Sequence, residues 1–285
     1  MRRSPDFIII GAGKCGTTSL HRYINEHPDI YLCPIKETYF FIEEPIRRKQ
    51  KSFGAISDPE DYYALFENAP EKSVIGEIST NYYAYPASAK IIHEALPNTK
   101  IIAILRNPAD RAFSSYQMRV RGGHEKREFD SIIAEDNRHV VRGFYYRQLL
   151  PYFELFDREQ IKILFFEDLC RDSVRFVQDL FEYLGVDANF VPNTEERRRE
   201  GGLPKNKVLH KLLTQKNPIR TSVATILKPL IPLDTRRAMR QKMVKENIYK
   251  AKLSPESKQK LIALYRDDIL KLQDLIQRDL SSWLR

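Results

Sequence analysis

Cysteine and long apolar runs are what this chain has least of. Its 285 residues include only 3 cysteines, Cys15, Cys33 and Cys170. An odd, unclustered set has neither zinc-ligand spacing nor the pattern of a disulfide framework, so a reducing, cytoplasmic setting is expected. No stretch approaches the ~18 consecutive apolar residues that read as a membrane-spanning helix. The N-terminus, MRRSPDFIII, is basic, but its apolar run, residues 7–10, stops at Gly11. That is too short for a secretory h-region, and no anchor or stem is expected. Internal repeats and low-complexity tracts are absent too. What is left is a globular composition, 42% hydrophobic and 30% charged, with enough length for a sizeable core.

Charge is unevenly distributed. The net charge is +9, yet residues 197–252 alone hold 16 Lys and Arg against 3 Asp and Glu, which leaves the rest of the chain at −4. A basic segment on a near-neutral body suggests an anionic partner or a solvated basic helix surface. Peripheral contact with a membrane through 197–252 is one such reading, and TSVATILKPLIPLDTRRAMRQKM has the amphipathic look that would support it. No nucleic acid partner is expected.

Short isoleucine-rich runs at 7–10, 73–77, 100–106 and 161–166 read as buried strands. Between them, helical patterns cover 17–25, 58–66, 88–96, 108–121, 145–156 and 173–184, and residues 43–57 read as a surface loop. Pro108 and Asp58-Pro59 suit helix starts, while Pro97 and Gly185 suit stops. Strand–helix alternation predicts an α/β fold with a central parallel sheet flanked by helices. We expect a single domain with its core at about 6–190, a basic loop and helical region at 197–253, and a last helix at 255–278 capped by Ser254.

The segment FIIIGAGKCGTTSL, residues 7–20, carries the clearest chemistry. A buried strand that runs through glycines into a helix start is an anion cradle: glycines admit a phosphate close to the backbone, and the helix offers N–H groups and its positive dipole end. Lys14 adds a charge, and Thr17, Thr18 and Ser19 add hydroxyl donors. A nucleoside-triphosphatase loop would read G-x-x-x-x-G-K-[ST]. Here Gly11 and Gly16 keep that spacing, but the lysine sits earlier, at 14, and 17 is threonine. The run KIIAILR also ends in Arg106, where a metal-holding aspartate would be expected. Side-chain cations rather than magnesium are therefore expected to stabilise the transferred group.

With these residues the chain resembles the nucleotide-dependent sulfotransferases, in particular the branch of heparan sulfate and other carbohydrate sulfotransferases and their bacterial relatives. The resemblance implies a P-loop-like three-layer fold and an enzyme that uses 3′-phosphoadenosine 5′-phosphosulfate, releases adenosine 3′,5′-bisphosphate and needs no metal. It implies that Lys14, Cys15, Gly16, Thr17, Thr18 and Ser19 hold the 5′-phosphosulfate. LRNPADRAFSSY, residues 105–116, looks like the 3′-phosphate block, with Arg106 and Ser114 as ligands. Glu37, ahead of Phe40 and Phe41 in HPDIYLCPIKETYFF, matches the glutamate that takes the acceptor's proton. In GEISTNYY, Glu77 or Ser79 could face the cleft, and Ile78 stands where several heparan sulfate enzymes have a lysine. Lys205 and Lys207 in GGLPKNK fall where the family has a basic loop over the nucleotide.

The histidines at 21, 27, 93, 124, 139 and 210 are weighed as alternative bases, and none outranks Glu37. The expected acceptor is a glycan, glycolipid or other hydroxyl compound, with Arg119 and Arg121 available if it is acidic. Two other readings stay open at this point: a magnesium-dependent small-molecule or nucleoside kinase, and a basic membrane-peripheral anion-binding module.

Overall fold

The computed structural model describes residues 2–50, 54–71, 73–194, 202–214 and 232–285. Much of the amphipathic stretch named above, and residues 197–201 of the basic segment, lie outside the described residues. The chain divides into two compact units, one of Met1–Pro108, Arg142–Arg198 and Leu264–Arg285, the other of Ala109–Val141 and Arg199–Ala263.

In chain order the first unit begins with β1 (Phe7–Gly11), α1 (Thr17–Asn25), β2 (Ile30–Leu32), α2 (Glu44–Lys49), α3 (Pro59–Ala64), β3 (Val74–Ile78), α4 (Ala87–Ala95) and β4 (Lys100–Leu105). Helix α5 (Pro108–Arg121) carries the chain into the second unit. The first unit resumes with α6 (Tyr145–Leu155), β5 (Ile161–Phe165), α7 (Phe166–Arg171) and α8 (Ser173–Leu184). The second unit continues with β6 (Leu203–Pro204), α9 (Lys207–Thr214), α10 (Leu233–Glu246) and β7 (Ile248–Tyr249). Helix α11 (Pro255–Ile276) starts in the second unit and ends in the first.

The sheet of the first unit has five strands in the order β2-β3-β1-β4-β5, all parallel. Strand β1 is central: Ile8 pairs with Glu77 of β3 and with Ile101 of β4. Residues Phe7 to Ile10 are all 0% exposed. A strand covered on both faces has no solvent side to mark, so it reads as a continuous apolar run. This matches the expected α/β architecture, and the four expected strands are β1, β3, β4 and β5.

The expected punctuation also holds. Asp58 accepts the N–H of Glu60 at 2.8 Å and Pro59 opens α3. Gly185 ends α8 at φ 80°, and Ser254 accepts the N–H of Ser257 at 3.1 Å to cap α11. Among the elements that differ from expectation, α2 and β2 have a plain physical reason. The 43–57 loop contains α2, a short helix with no buried residue, which supplies no apolar stripe to detect. Strand β2 has three residues, too few for a periodic signal.

Two residues of α11 hold the segment from Gly143 to Arg147. The Asp268 carboxylate of α11 accepts the N–H groups of Tyr146 and Arg147 at 2.9 and 3.2 Å, satisfying donors in the first turn of α6. Gly143 lies under the Tyr265 ring, where a Cβ would come within 2.6 Å of the phenol oxygen.

Candidate active site

At the carboxyl end of β1 the chain enters the loop 12–16. Gly11 lies directly beneath the Tyr83 ring, so any side chain there would collide with it. The N–H of Ala12 is donated to the Ile104 carbonyl of β4 at 2.9 Å, which ties the loop to the sheet. Lys14 and Gly16 both take the left-handed conformation, φ 77° and 88°. Glycine adopts that region freely; for Lys14 it is backbone strain of the kind that concentrates at functional sites. At Gly16 a Cβ would also meet Leu169 at 2.8 Å and Phe166 at 2.9 Å. Helix α1 then starts with no acidic residue in its first turn, so its positive end is not offset locally. Thr17 is buried, Thr18 exposed, and Lys14 and Ser19 half-buried. The Cys15 thiol points inward, 3.9 Å from the Tyr145 hydroxyl, so only its backbone can serve an anion.

Glu37 lies beside this loop. It too has a positive φ, 66°, and so does Tyr39, 57°. Its N–H is donated to the Ile78 carbonyl at 3.0 Å, which sets it at the carboxyl end of β3. Thr80 donates to Glu37 Oε1 at 2.6 Å and Asn81 Nδ2 donates to Oε2 at 3.1 Å. The same Thr80 hydroxyl is 3.7 Å from the position of a Cβ on Gly13, so Thr80 lies between the carboxylate and the 12–16 loop. Asn81 also donates to the Tyr39 hydroxyl at 3.3 Å. Burial and then the Glu37 charge push the Tyr39 phenol up from its ordinary value, which keeps it neutral.

What holds this loop is Thr38, 0% exposed, between the two strained residues. Its hydroxyl is donated to Glu77 Oε1 at 2.6 Å. Ser79 and Tyr82 donate to the same oxygen, both at 2.7 Å, and Tyr62 donates to Oε2 at 2.5 Å. The expectation that Glu77 or Ser79 faces the cleft is therefore corrected: both point into the interior, 0% and 1% exposed. A carboxylate buried without such donors would be costly, and here four hydroxyls satisfy it. Burial and the Glu77 charge hold the Tyr62 and Tyr82 phenols well above their ordinary values. The same two causes push the Cys33 thiol up to about 12, so it is an inert packing group. Phe40 stacks on Tyr62 at 4.0 Å, and Phe41 is buried against Tyr62 and Tyr82. The two aromatic residues after Glu37 thus fasten its loop to this network.

Arg106 follows β4. Its carbonyl accepts the Tyr145 hydroxyl at 2.9 Å, and its guanidinium lies 4.7 Å over the Phe166 ring. Tyr145 therefore touches both the loop, through Cys15, and the Arg106 backbone. The first unit brings together residues 11–19, Glu37 and Arg106 at the carboxyl ends of adjacent parallel strands, the usual ligand side of such a sheet.

Ser114, Lys205 and Lys207 belong to the second unit. There Arg111 donates to the His139 carbonyl, and the Ser115 hydroxyl meets His139 Nδ1 at 3.0 Å, with Ser114 half-buried beside them on α5. Burial lowers the His139 pKa to about 4, so that imidazole is neutral. Lys205 is exposed and donates its N–H to the Asn247 carbonyl at 2.7 Å, and Lys207 opens α9. Among the histidines, burial and then Lys36 lower the pKa of His21, while His93 packs edge-on against Phe156. Among the described residues no group of three His, Cys, Asp or Glu is placed to hold a metal ion.

Sequence reasoning missed Thr38, Thr80, Asn81, Arg142 and Tyr145. Arg142 donates to Asn81 Oδ1 at 2.7 Å. Only the GEISTNYY block hinted at two of them.

Comparison with known proteins identifies the family. A model described as "Sulfotransferase family" matches residues 5–190. The bifunctional heparan sulfate N-deacetylase/N-sulfotransferase 1 of Xenopus laevis is 30% identical over 204 residues, 65% of this chain. Human carbohydrate sulfotransferase 15 is 25% identical over 249 residues. The chain spans 22% and 44% of the length of these two relatives. A crystal structure of a sulfotransferase from Alicyclobacillus acidocaldarius superposes with a TM-score of 0.74 at 30% identity, covering 99% of this chain and 100% of that one. A glycine-rich loop at the end of a central parallel strand, with that family match over residues 5–190, places the chain in the sulfotransferase family.

Proposed function

We propose that this chain moves a sulfuryl group from 3′-phosphoadenosine 5′-phosphosulfate to a hydroxyl or amine of a carbohydrate or glycolipid acceptor, in a reducing compartment such as the cytoplasm. The observation that carries the reading is that Thr80, which donates to the Glu37 carboxylate, lies close to Gly13 of the 12–16 loop, so the carboxylate sits near that loop. A binding module would have no use for a carboxylate held there by two donors.

The residues fit the donor. Gly13 leaves the backbone open to an anion, whereas Gly11 and Gly16 make room for Tyr83 and for Leu169 with Phe166; the unopposed start of α1 favours negative charge, and Arg106 gives a forked partner for a phosphate. Ser114, Lys205 and Lys207 are assigned to the nucleotide by the family resemblance. The donor supplies an already activated sulfuryl group. Lys14 and the loop N–H groups neutralise charge on the leaving phosphate side as the bond from sulfur to the bridging oxygen breaks. As the acceptor's oxygen or nitrogen bonds to sulfur, Glu37 takes its proton, and adenosine 3′,5′-bisphosphate leaves. Positioning and preorganised charge supply most of the acceleration.

A thermal-shift series tests the donor. Adenosine 3′,5′-bisphosphate in the presence of EDTA is expected to raise the melting temperature more than ATP with magnesium does. The reverse ranking would favour a kinase, and no response to either would favour a simple anion-binding module. Lys14→Ala is expected to lower turnover by about 10²–10³-fold, the usual cost of one transition-state donor. Turnover near the wild-type level in that variant would remove Lys14 from the mechanism. Labelled donor offered to glycans, glycolipids and phenols identifies the acceptor.

A further inference from the structure

The base of such a reaction must be both oriented and anionic, and the structure contains a device for this outside the family motifs. We propose that Arg142 is a positioning residue that acts on Glu37 through Asn81, and the inference rests on the reading of Glu37 as the base.

The chain of contacts runs in one direction. A guanidinium has donors only, whereas an amide has a donor end and an acceptor end. Arg142 Nη1 lies 2.7 Å from Asn81 Oδ1, so the oxygen must face the arginine; the flipped amide would set NH₂ against the guanidinium. That choice turns Nδ2 toward Glu37 Oε2, at 3.1 Å, and the Tyr39 hydroxyl, at 3.3 Å. Asn81 therefore holds the side chains of the two left-handed residues that flank Thr38, at φ 66° and 57°. Such conformations persist only where the surroundings over-determine them. With Thr80 on Oε1 at 2.6 Å, each carboxylate oxygen carries one fixed donor.

Arg142 is itself fixed from two sides. Its carbonyl accepts the Tyr83 hydroxyl at 2.8 Å, and the Tyr83 ring lies on Gly11 of the anion loop. The next residue, Gly143, is closed over by Tyr265. The arginine that orients the base is thus mounted on the same tyrosine that backs the donor loop. This couples the two halves of the reaction through rigid groups, where a displacement of ~1 Å can cost ~10² in rate.

The test uses the full chain. In ¹H–¹⁵N spectra the Asn81 side-chain NH₂ is expected to give two widely separated, slowly exchanging proton signals, identified by their loss in Asn81→Asp. Arg142→Ala is expected to collapse that separation and Arg142→Lys to preserve most of it. Unchanged Asn81 signals in Arg142→Ala overturn the proposal.

Turnover gives a second measurement, with de-N-acetylated heparosan as the acceptor probe. Arg142→Ala is expected to lower kcat by about 10–100-fold with little change in the acceptor KM. The double variant with Asn81→Ala is expected to be no worse than Asn81→Ala alone, because one residue acts through the other. Additive losses, or a rise in KM at constant kcat, would make Arg142 a direct acceptor contact and overturn the proposal. Loss of Glu37 as the base would show instead as an active Glu37→Gln variant, with the Asn81 spectra still deciding the relay.

Discussion

Glu37→Gln is expected to lower turnover by about 10²–10⁴-fold, the range for removal of a general base, while adenosine 3′,5′-bisphosphate still raises the melting temperature as in the parent chain. Glutamine has nearly the same shape but cannot take a proton. Its amide also fits the site poorly. Oε1 can still accept from Thr80, but an NH₂ in place of Oε2 would face the Asn81 NH₂ across the present 3.1 Å contact. The loss is expected in kcat, since the donor is held by other residues. Measurement of kcat and of nucleotide-induced melting shifts on the same preparation separates chemistry from folding. Wild-type turnover would remove Glu37 from the reaction and return the role to a histidine, His21 being the half-buried candidate on α1.

The second large effect is expected away from the chemistry. Glu77→Leu leaves the hydroxyls of Thr38, Ser79, Tyr82 and Tyr62 without their shared acceptor in a fully buried place. Each stranded donor costs ~1–3 kcal/mol. Hydroxyls can rotate toward one another, and the Thr38 and Tyr82 oxygens already lie 2.8 Å apart. The net loss is therefore expected near 4 kcal/mol rather than the full sum, about a thousandfold in the folding equilibrium. Glu77→Gln keeps one acceptor oxygen and is expected to lose only ~1–3 kcal/mol. Urea denaturation at constant m-value reads both variants. The leucine variant is also expected to lose amide-exchange protection over residues 36–42, because Thr38 anchors the strained loop that carries Glu37. A leucine variant as stable as the parent would show that the network is dispensable.

The two expectations differ in how the sequence announces them. Glu37 is visible because its neighbours in sequence, Phe40 and Phe41, make a pattern. Glu77 looks equally functional in GEISTNYY, and its direction cannot be read there. Strand alternation sorts inward from outward only when one face meets solvent. Strand β3 is covered on both faces, so a polar residue on it gives no sign of which side it takes. The aromatic residues tell the same story: in sequence Tyr82, Tyr83 and Tyr85 suit a sugar platform as well as a core, and the structure buries Tyr82 and Tyr83, at 0% and 1% exposed, while Tyr85 is half-buried.

By itself the sequence determined whatever depends on neighbours along the chain: the apolar strands, the turns at Asp58-Pro59 and Gly185, and the glycine-rich loop of residues 11–19 with its displaced lysine. These features are local, because strand, loop and helix start are contiguous and their chemistry is carried by residue type and spacing. The tertiary structure alone decided what surrounds Glu37. Thr80 and Asn81 reach Glu37 across 43 and 44 residues, and Arg142 reaches Asn81 across 61. No periodicity encodes such meetings. They exist because parallel strands β1 and β3 end side by side, bringing distant segments to one edge of the sheet where Thr80 lies between the 12–16 loop and the Glu37 carboxylate.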